Sequence, residues 1–128
     1  MLFLGMAYEA EEALHSLTPE QWADLRRETL DYVEQLRSEG RLIDARPLKS
    51  ARLAATLQIR GGHLSVTDGP FAETKEQLGG FFLFEAASFD EAVRIASKWP
   101  SARLGTIEVR PVEDGLQEDR RYELTPSR

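Results

Sequence analysis

The sequence predicts an α+β fold: a ferredoxin-like β-α-β-β-α-β unit with an antiparallel sheet, two helices on one face, and one extra hairpin. Three observations predict it. Two stretches with helical spacing open at Thr18 and Ser88 on capping-box patterns. Apolar or alternating runs at residues 2–8, 41–45, 81–84 and 105–112 stand around them in strand-like lengths. Between the second and third of these runs, two alternating segments meet at Gly61-Gly62, a hairpin signature.

The elements follow in order. Residues 2–8 are almost continuously apolar and read as a first strand, and residues 9–17, with His15, read as a connecting loop. Thr18 suits an N-cap, Pro19 the first helical position, and Gln21 completes the box. Trp22, Leu25, Thr29, Tyr32, Val33 and Leu36 recur at helical spacing as the buried face, Asp24, Arg27, Glu28, Asp31, Glu34 and Arg37 form a solvated one, and Gly40 is a natural stop. Residues 41–45 give a second strand interrupted at Pro47. Residues 53–60 alternate as a half-buried strand, and 63–67 return after the glycine turn with Leu64 and Val66 on one face. Ser88 caps a second helix whose buried face is Phe89, Ala92, Val93, Ile95, Ala96 and Trp99, ended by Pro100. Residues 105–112 make the last strand. The chain thus reads as one folded domain over residues 1–112 and a charged tail over 113–128 with little periodicity.

Composition bounds the function. The chain has 128 residues, 41% hydrophobic and 30% charged, with a net charge of −6 and no cysteine. The length suits one domain with a real core. The acidic balance, without a basic cluster, argues against nucleic acid as a partner. Without cysteine there are no disulfides, thiolate nucleophiles or cysteine-based metal sites. The apolar run at residues 2–7 is short, lacks a basic lead and precedes Glu9, Glu11 and Glu12, so neither a signal peptide nor a membrane span is expected, and the expected compartment is the cytoplasm.

Residues 66–86 concentrate the chain's distinctive chemistry. Asp68-Gly69-Pro70 is turn chemistry, with Asp68 expected to cap its own turn. Gly79-Gly80 is expected at a strand entrance, permitting a bulge or a close backbone approach. Phe81-Phe82-Leu83-Phe84, apolar at successive positions, reads as a strand buried on both faces. Two helices cover only one face of a sheet, so a lone chain would expose a broad apolar patch. A homodimer packed sheet on sheet about a two-fold axis is therefore expected.

Thr67-Asp68-Gly69-Pro70-Phe71-Ala72-Glu73-Thr74-Lys75-Glu76-Gln77-Leu78-Gly79-Gly80 resembles the signature of the DGPF-domain, YCII-related proteins, and Glu108-Val109-Arg110-Pro111-Val112 resembles their closing strand. The resemblance spans residues 1–112. It implies the same ferredoxin-like unit, dimerising through its sheets as a dimeric α+β barrel, and for most members no established activity. It also implies a functional link to an extracytoplasmic-function sigma factor. The broader group is similar in carrying a His in or near the first helix, paired with an Asp as a proposed catalytic couple. Here Thr29 stands near that point and no His lies between Thr18 and Gly40, so that mechanism does not carry over.

Among the chemical motifs, no histidine pair has metal-ligand spacing, and no nucleophile elbow or phosphate-cradling glycine loop occurs, so neither a metal nor a cofactor is expected. His63 sits beside the hairpin tip and reads as incidental. The candidate site is the signature loop. Asp68 is its catalytic candidate, and Thr67, Asp68, Phe71, Glu73, Lys75 and Phe82 are its ligand-binding candidates, polar groups set on an aromatic wall. Three functions fit: a small-molecule binding or accessory regulatory protein with its polar cleft at that loop; an enzyme without a cofactor, a lyase, isomerase or hydrolase acting on a small organic substrate through Asp68; or a purely structural dimerisation module.

Overall fold

The computed structural model describes residues 1–113, 115–116 and 121–124. The remaining positions of the charged tail lie outside the described residues. Six strands and three α-helices follow one another: β1 (Leu2–Glu9), α1 (Glu11–His15), α2 (Pro19–Ser38), β2 (Leu42–Pro47), β3 (Ala55–Arg60), β4 (His63–Asp68), β5 (Gln77–Glu85), α3 (Phe89–Ser97) and β6 (Gly105–Pro111). β2, β5, β1 and β6 form an antiparallel sheet in that order, and β3 pairs only with β4 in a separate two-stranded ribbon. This is the ferredoxin-like split with the extra hairpin between its halves.

Local chemistry accounts for the element ends. The Thr18 hydroxyl accepts from the Gln21 N–H at 3.1 Å while the Thr18 N–H donates to the Gln21 side chain at 2.8 Å, closing the capping box. At the other end of α2, Gly40 takes φ +70° and the Arg41 N–H reaches back to the Leu36 carbonyl at 2.9 Å, satisfying a carbonyl the helix leaves open. Ser88 caps α3 through the Glu91 N–H, and Glu91 answers by accepting from the Ala87 N–H and from Arg41 at 2.6 Å. Gly61 and Gly62 both hold positive φ, which sets the tight turn between β3 and β4.

The core lies between the sheet and the helices. Phe3, Phe82 and Phe84 are wholly buried, and Leu36 nearly so. The Phe82 ring stacks on Trp99 with centroids 4.0 Å apart and an interplanar angle of 8°, and on Phe84 at 5.4 Å. Tyr32 donates its hydroxyl to the Ile95 carbonyl at 2.6 Å and so ties α2 to α3. The Phe82 ring lies directly across Gly5, where any Cβ would overlap it.

Several expectations change. Residues 9–17 contain the short helix α1 rather than a plain loop. β2 runs on through Pro47, which an edge strand tolerates at its last residue. Residues 51–53 are a 3₁₀ turn, so β3 begins only at Ala55. β5 begins at Gln77, placing Gly79 and Gly80 inside the strand, where neither has positive φ. The register slips between Ala7 and Tyr8 opposite them, leaving Gly79 as the bulged residue. The run 81–84 alternates: Phe82 and Phe84 are buried while Phe81 and Leu83 are only half-buried, because helices cover one face alone. Val93 lies on the outer side of α3. The hairpin departs furthest, with Leu57, Ile59, Leu64 and Val66 between 58% and 67% exposed. Facing pairs Leu57–Val66 and Ile59–Leu64 make an apolar surface that the other described residues do not cover.

Gly5→Ala pushes a methyl group into the Phe82 ring and is expected to destabilise the fold by about 1–3 kcal/mol, the usual cost of overpacking a core. A denaturant midpoint equal to wild type would show that the aromatic layer is not held against the β1 backbone.

Candidate functional site

A cleft of about 500 Å³ opens between α2 and the end of the sheet where β1 and β2 finish. This size falls within the range typical of small-molecule sites. One wall is the α2 stripe of Trp22, Leu25, Thr29 and Val33, and Ala7, Trp99 and the Gly79-Gly80 backbone line the sheet side. The helical periodicity of that stripe predicts a core face. Only Tyr32 and Leu36 are buried, while Trp22 is 37% exposed because the stripe's first two turns face an open cleft instead of the core.

Glu9 is the acid of this cleft. Along β1, Phe3, Gly5, Ala7 and Glu9 alternate onto the helix-covered face, so the last residue of a core-facing register is a carboxylate. Its Oε2 lies where the side chain of any other residue at position 79 would be, 2.5 Å from an ideal Cβ there. The bulge at Gly79 thus makes the space that Glu9 occupies. Burial raises the Glu9 pKa, and the neighbouring Ser101 hydroxyl offsets only part of that rise. The Ser101 oxygen is itself buried and has no partner among the described residues besides the Glu9 carboxyl. Glu11, two residues on, is held below the ordinary carboxylate range, chiefly by the Ser50 hydroxyl and then by the Ala51 N–H, so α1, whose Leu14 lines the cleft, is fastened to the segment after β2.

The signature loop lies elsewhere. Thr67 and Asp68 end β4 on an exposed surface, and Glu73 and Lys75 are exposed beyond them without an ion pair between them among the described residues. Phe71 is 81% exposed, whereas Phe82 is sealed in the core, so the two rings do not form one wall and Phe82 has no surface to offer a ligand. The expected Asp68 cap does not form, since two residues on stands Pro70, which has no N–H. The turn is held instead by the Gly69 N–H on the Ala54 carbonyl at 2.7 Å, the Thr56 hydroxyl on the Gly69 carbonyl at 2.9 Å, and positive φ at Gly69. The Gln77 side chain staples the rest of the loop by donating to the Ala72 and Thr74 carbonyls. Pro70 meets Leu48, Leu53 and Leu78 in a shallower depression beside the main cleft. Among the described residues, no group of acids and histidines could hold a metal ion, and no helix is long and apolar enough to cross a membrane.

The YCII-related domain matches residues 1–115 of this chain. The chain belongs to the YCII-related family. A curated relative, the uncharacterised protein R00369 of Rhizobium meliloti (strain 1021), is 36% identical over 114 residues, covering 88% of this chain and 92% of its own length. Among solved structures, the chain is similar to the 5-chloro-2-hydroxyhydroquinone dehydrochlorinase of Burkholderia phenoliruptrix AC1100, determined with 2,5-dihydroxybenzoquinone. The TM-score is 0.56 and the identity 21%, over 90% of this chain and 96% of that one. At that identity the likeness establishes the shared fold.

In this YCII-related chain the sequence signal for Glu9 was the β1 alternation itself: a charged residue on the face whose other members are Phe, Gly and Ala. Glu9 is the last residue of β1 and keeps that register, where the sequence predicts the start of a loop.

The raised Glu9 pKa has a definite sign in stability. The folded state holds the proton more tightly than the unfolded chain, so the contribution is most favourable below the ordinary value of 4.5 and is lost as pH rises through the raised folded value. Glu9→Gln removes the charge that burial penalises. The variant is expected to melt at or above the wild-type temperature at pH 8, with the difference shrinking toward pH 4. A variant clearly less stable than wild type at pH 8 would mean the charged carboxylate is anchored in the fold.

Proposed function

We propose that this protein binds a small organic molecule in the α2–sheet cleft and moves a proton on it with Glu9, in an isomerisation or elimination. The observation that carries this reading is Glu9 itself: a half-buried carboxylate with a raised pKa, no cation among the causes of its shift, and an apolar cleft in front of it. Such an acid is disfavoured as a charge by its surroundings, and a raised carboxyl pKa makes it a stronger proton acceptor than an ordinary carboxylate. In the proposed step, the Glu9 carboxylate removes a proton from a carbon next to a carbonyl. It then returns that proton at a second carbon, or a leaving group departs with the electron pair. Once Glu9 has taken up the proton, the Ser101 hydroxyl beside it can turn its one hydrogen from the carboxyl to the substrate oxygen that gains charge. The dehydrochlorinase of like fold performs an elimination, which is compatible with this reading by analogy of fold only.

The test is hydrogen–deuterium exchange at acidic C–H positions of a panel of small cyclic enols and β-dicarbonyl compounds, followed by NMR. Wild type is expected to accelerate exchange for at least one member. Glu9→Gln should lose about 10²–10⁴-fold, the usual weight of a positioned acid–base group. Gly79→Ala should lose much of the rate with little change in stability, because its new methyl group meets only the movable end of Glu9. Asp68→Asn separates the cleft from the signature loop: full activity in that variant favours Glu9, and its loss with Glu9→Gln active would move the site to the loop.

We also infer that two chains associate. The support is the uncovered apolar face of the β3–β4 hairpin, together with Leu4, Phe81 and Leu83 half-buried on the open face of the sheet. Light scattering at micromolar concentration is expected to give twice the 14.5 kDa chain mass. Leu57→Asp should shift that value to a single chain, and a wild-type monomer would end the idea.

A further inference from the structure

The charges around the cleft say more about its ligand than its shape does. The protein is acidic, with a net charge of −6, yet Glu9 is the one acid lining the cleft among the described residues, against Arg26, Arg37 and Arg46. Among the described residues, three arginines away from the cleft are matched to carboxylates: Arg27 to Asp24 at 2.7 Å, Arg41 to Glu91 at 2.6 Å, and Arg103 to Glu28 at 2.6 Å. Arg46 is likewise held by Asp44, at 3.2 Å. Arg26 and Arg37 share the lack of an ion pair with Arg52, Arg60, Arg94 and Arg110, but of these six only Arg26 and Arg37 stand on the cleft wall. Both line the cleft, and neither forms an ion pair with a described residue. The contrast is sharpest between neighbours, since Arg27 points away and is paired while Arg26, one residue earlier, borders the cleft and is not.

The surroundings make these two guanidiniums receptive. Arg26 sits four residues after Trp22 and four before Leu30, so it shares their side of the helix, and both neighbours also line the cleft. Arg37 lies four residues beyond Val33 on the same wall. A planar guanidinium flanked by apolar surface matches a carboxylate or phenolate oxygen pair better than it matches water alone. The helix rise separates the two arginines by about 16 Å, so a small molecule pairs with one of them while its body lies along the wall between.

We propose that the cleft selects a small organic anion, with an apolar ring against Trp22 and Val33 and its charged group paired to a guanidinium of α2. This rests on the reading of the cleft as the binding site and adds the chemical class of what enters it. Apolar burial supplies most of the affinity, because an exposed ion pair contributes little by itself. The arginine supplies selection for charge and fixes which end of the ligand meets Glu9.

Calorimetric titration with 2-naphthoate and with its neutral counterpart 2-naphthamide tests this directly. Wild type is expected to bind naphthoate about tenfold more tightly than naphthamide. Arg26→Gln or Arg37→Gln should abolish that preference while leaving naphthamide binding unchanged, and Arg27→Gln, on the solvent side, should alter neither. Equal binding of the two probes by wild type would overturn the anion inference and leave the cleft standing. So would a preference that survives the double Arg26→Gln, Arg37→Gln variant. Binding of neither probe would overturn the inference, and if the deuterium-exchange panel is also silent, the binding site itself falls with it.

Discussion

The fold depends on a ring lying where a side chain would otherwise be. Phe82 can stack on Trp99 only because β1 offers no Cβ at Gly5. That contact sets the depth at which the segment after α3 approaches the sheet. It therefore positions Trp99 and Ser101, which line the cleft two residues apart. The core and the site are thus one construction: the aromatic layer that stabilises the protein is also the floor on which the cleft's polar groups stand.

The same device recurs at the other end of the strand pair. Gly5 makes room for an aromatic ring, and Gly79 makes room for a carboxylate. The first substitution of space for side chain adds packing. The second places a charge where burial disfavours it, with a bulge in β5 to accommodate it. A sequence selected for stability alone has no reason to keep an acid in that position, and local rules tend to be broken where a protein does its work.

Much of the fold was legible because its signals are local. The Thr18 and Ser88 caps, the Gly40 stop and the Gly61-Gly62 turn each involve residues a few positions apart, and each forms as its chemistry requires. The candidate site was less legible because it is assembled from distant segments. Glu9, Gly79 and Ser101 come from three elements, and no spacing in the sequence joins them. The conspicuous motif, residues 67–80, drew attention to Asp68, yet its first half builds an exposed turn and its last two residues shape the cleft. The apolar stripe of α2 had the right period for a core, and periodicity alone does not distinguish a buried wall from a wall of a cleft.

The independence of the β3–β4 hairpin has a consequence for how the molecule comes apart. Its strands bond to each other, with Ala54 and Thr56 clasping Gly69 at the base, and it touches the main body little. A two-stranded ribbon has little stability of its own in water. In a single chain this segment is therefore the first cooperative unit to open, exchanging its amide protons ahead of the four-stranded sheet. A covering partner would raise that protection without touching the core, so amide exchange in the hairpin acts as a gauge of association, while exchange in β1 and β5 reports on folding.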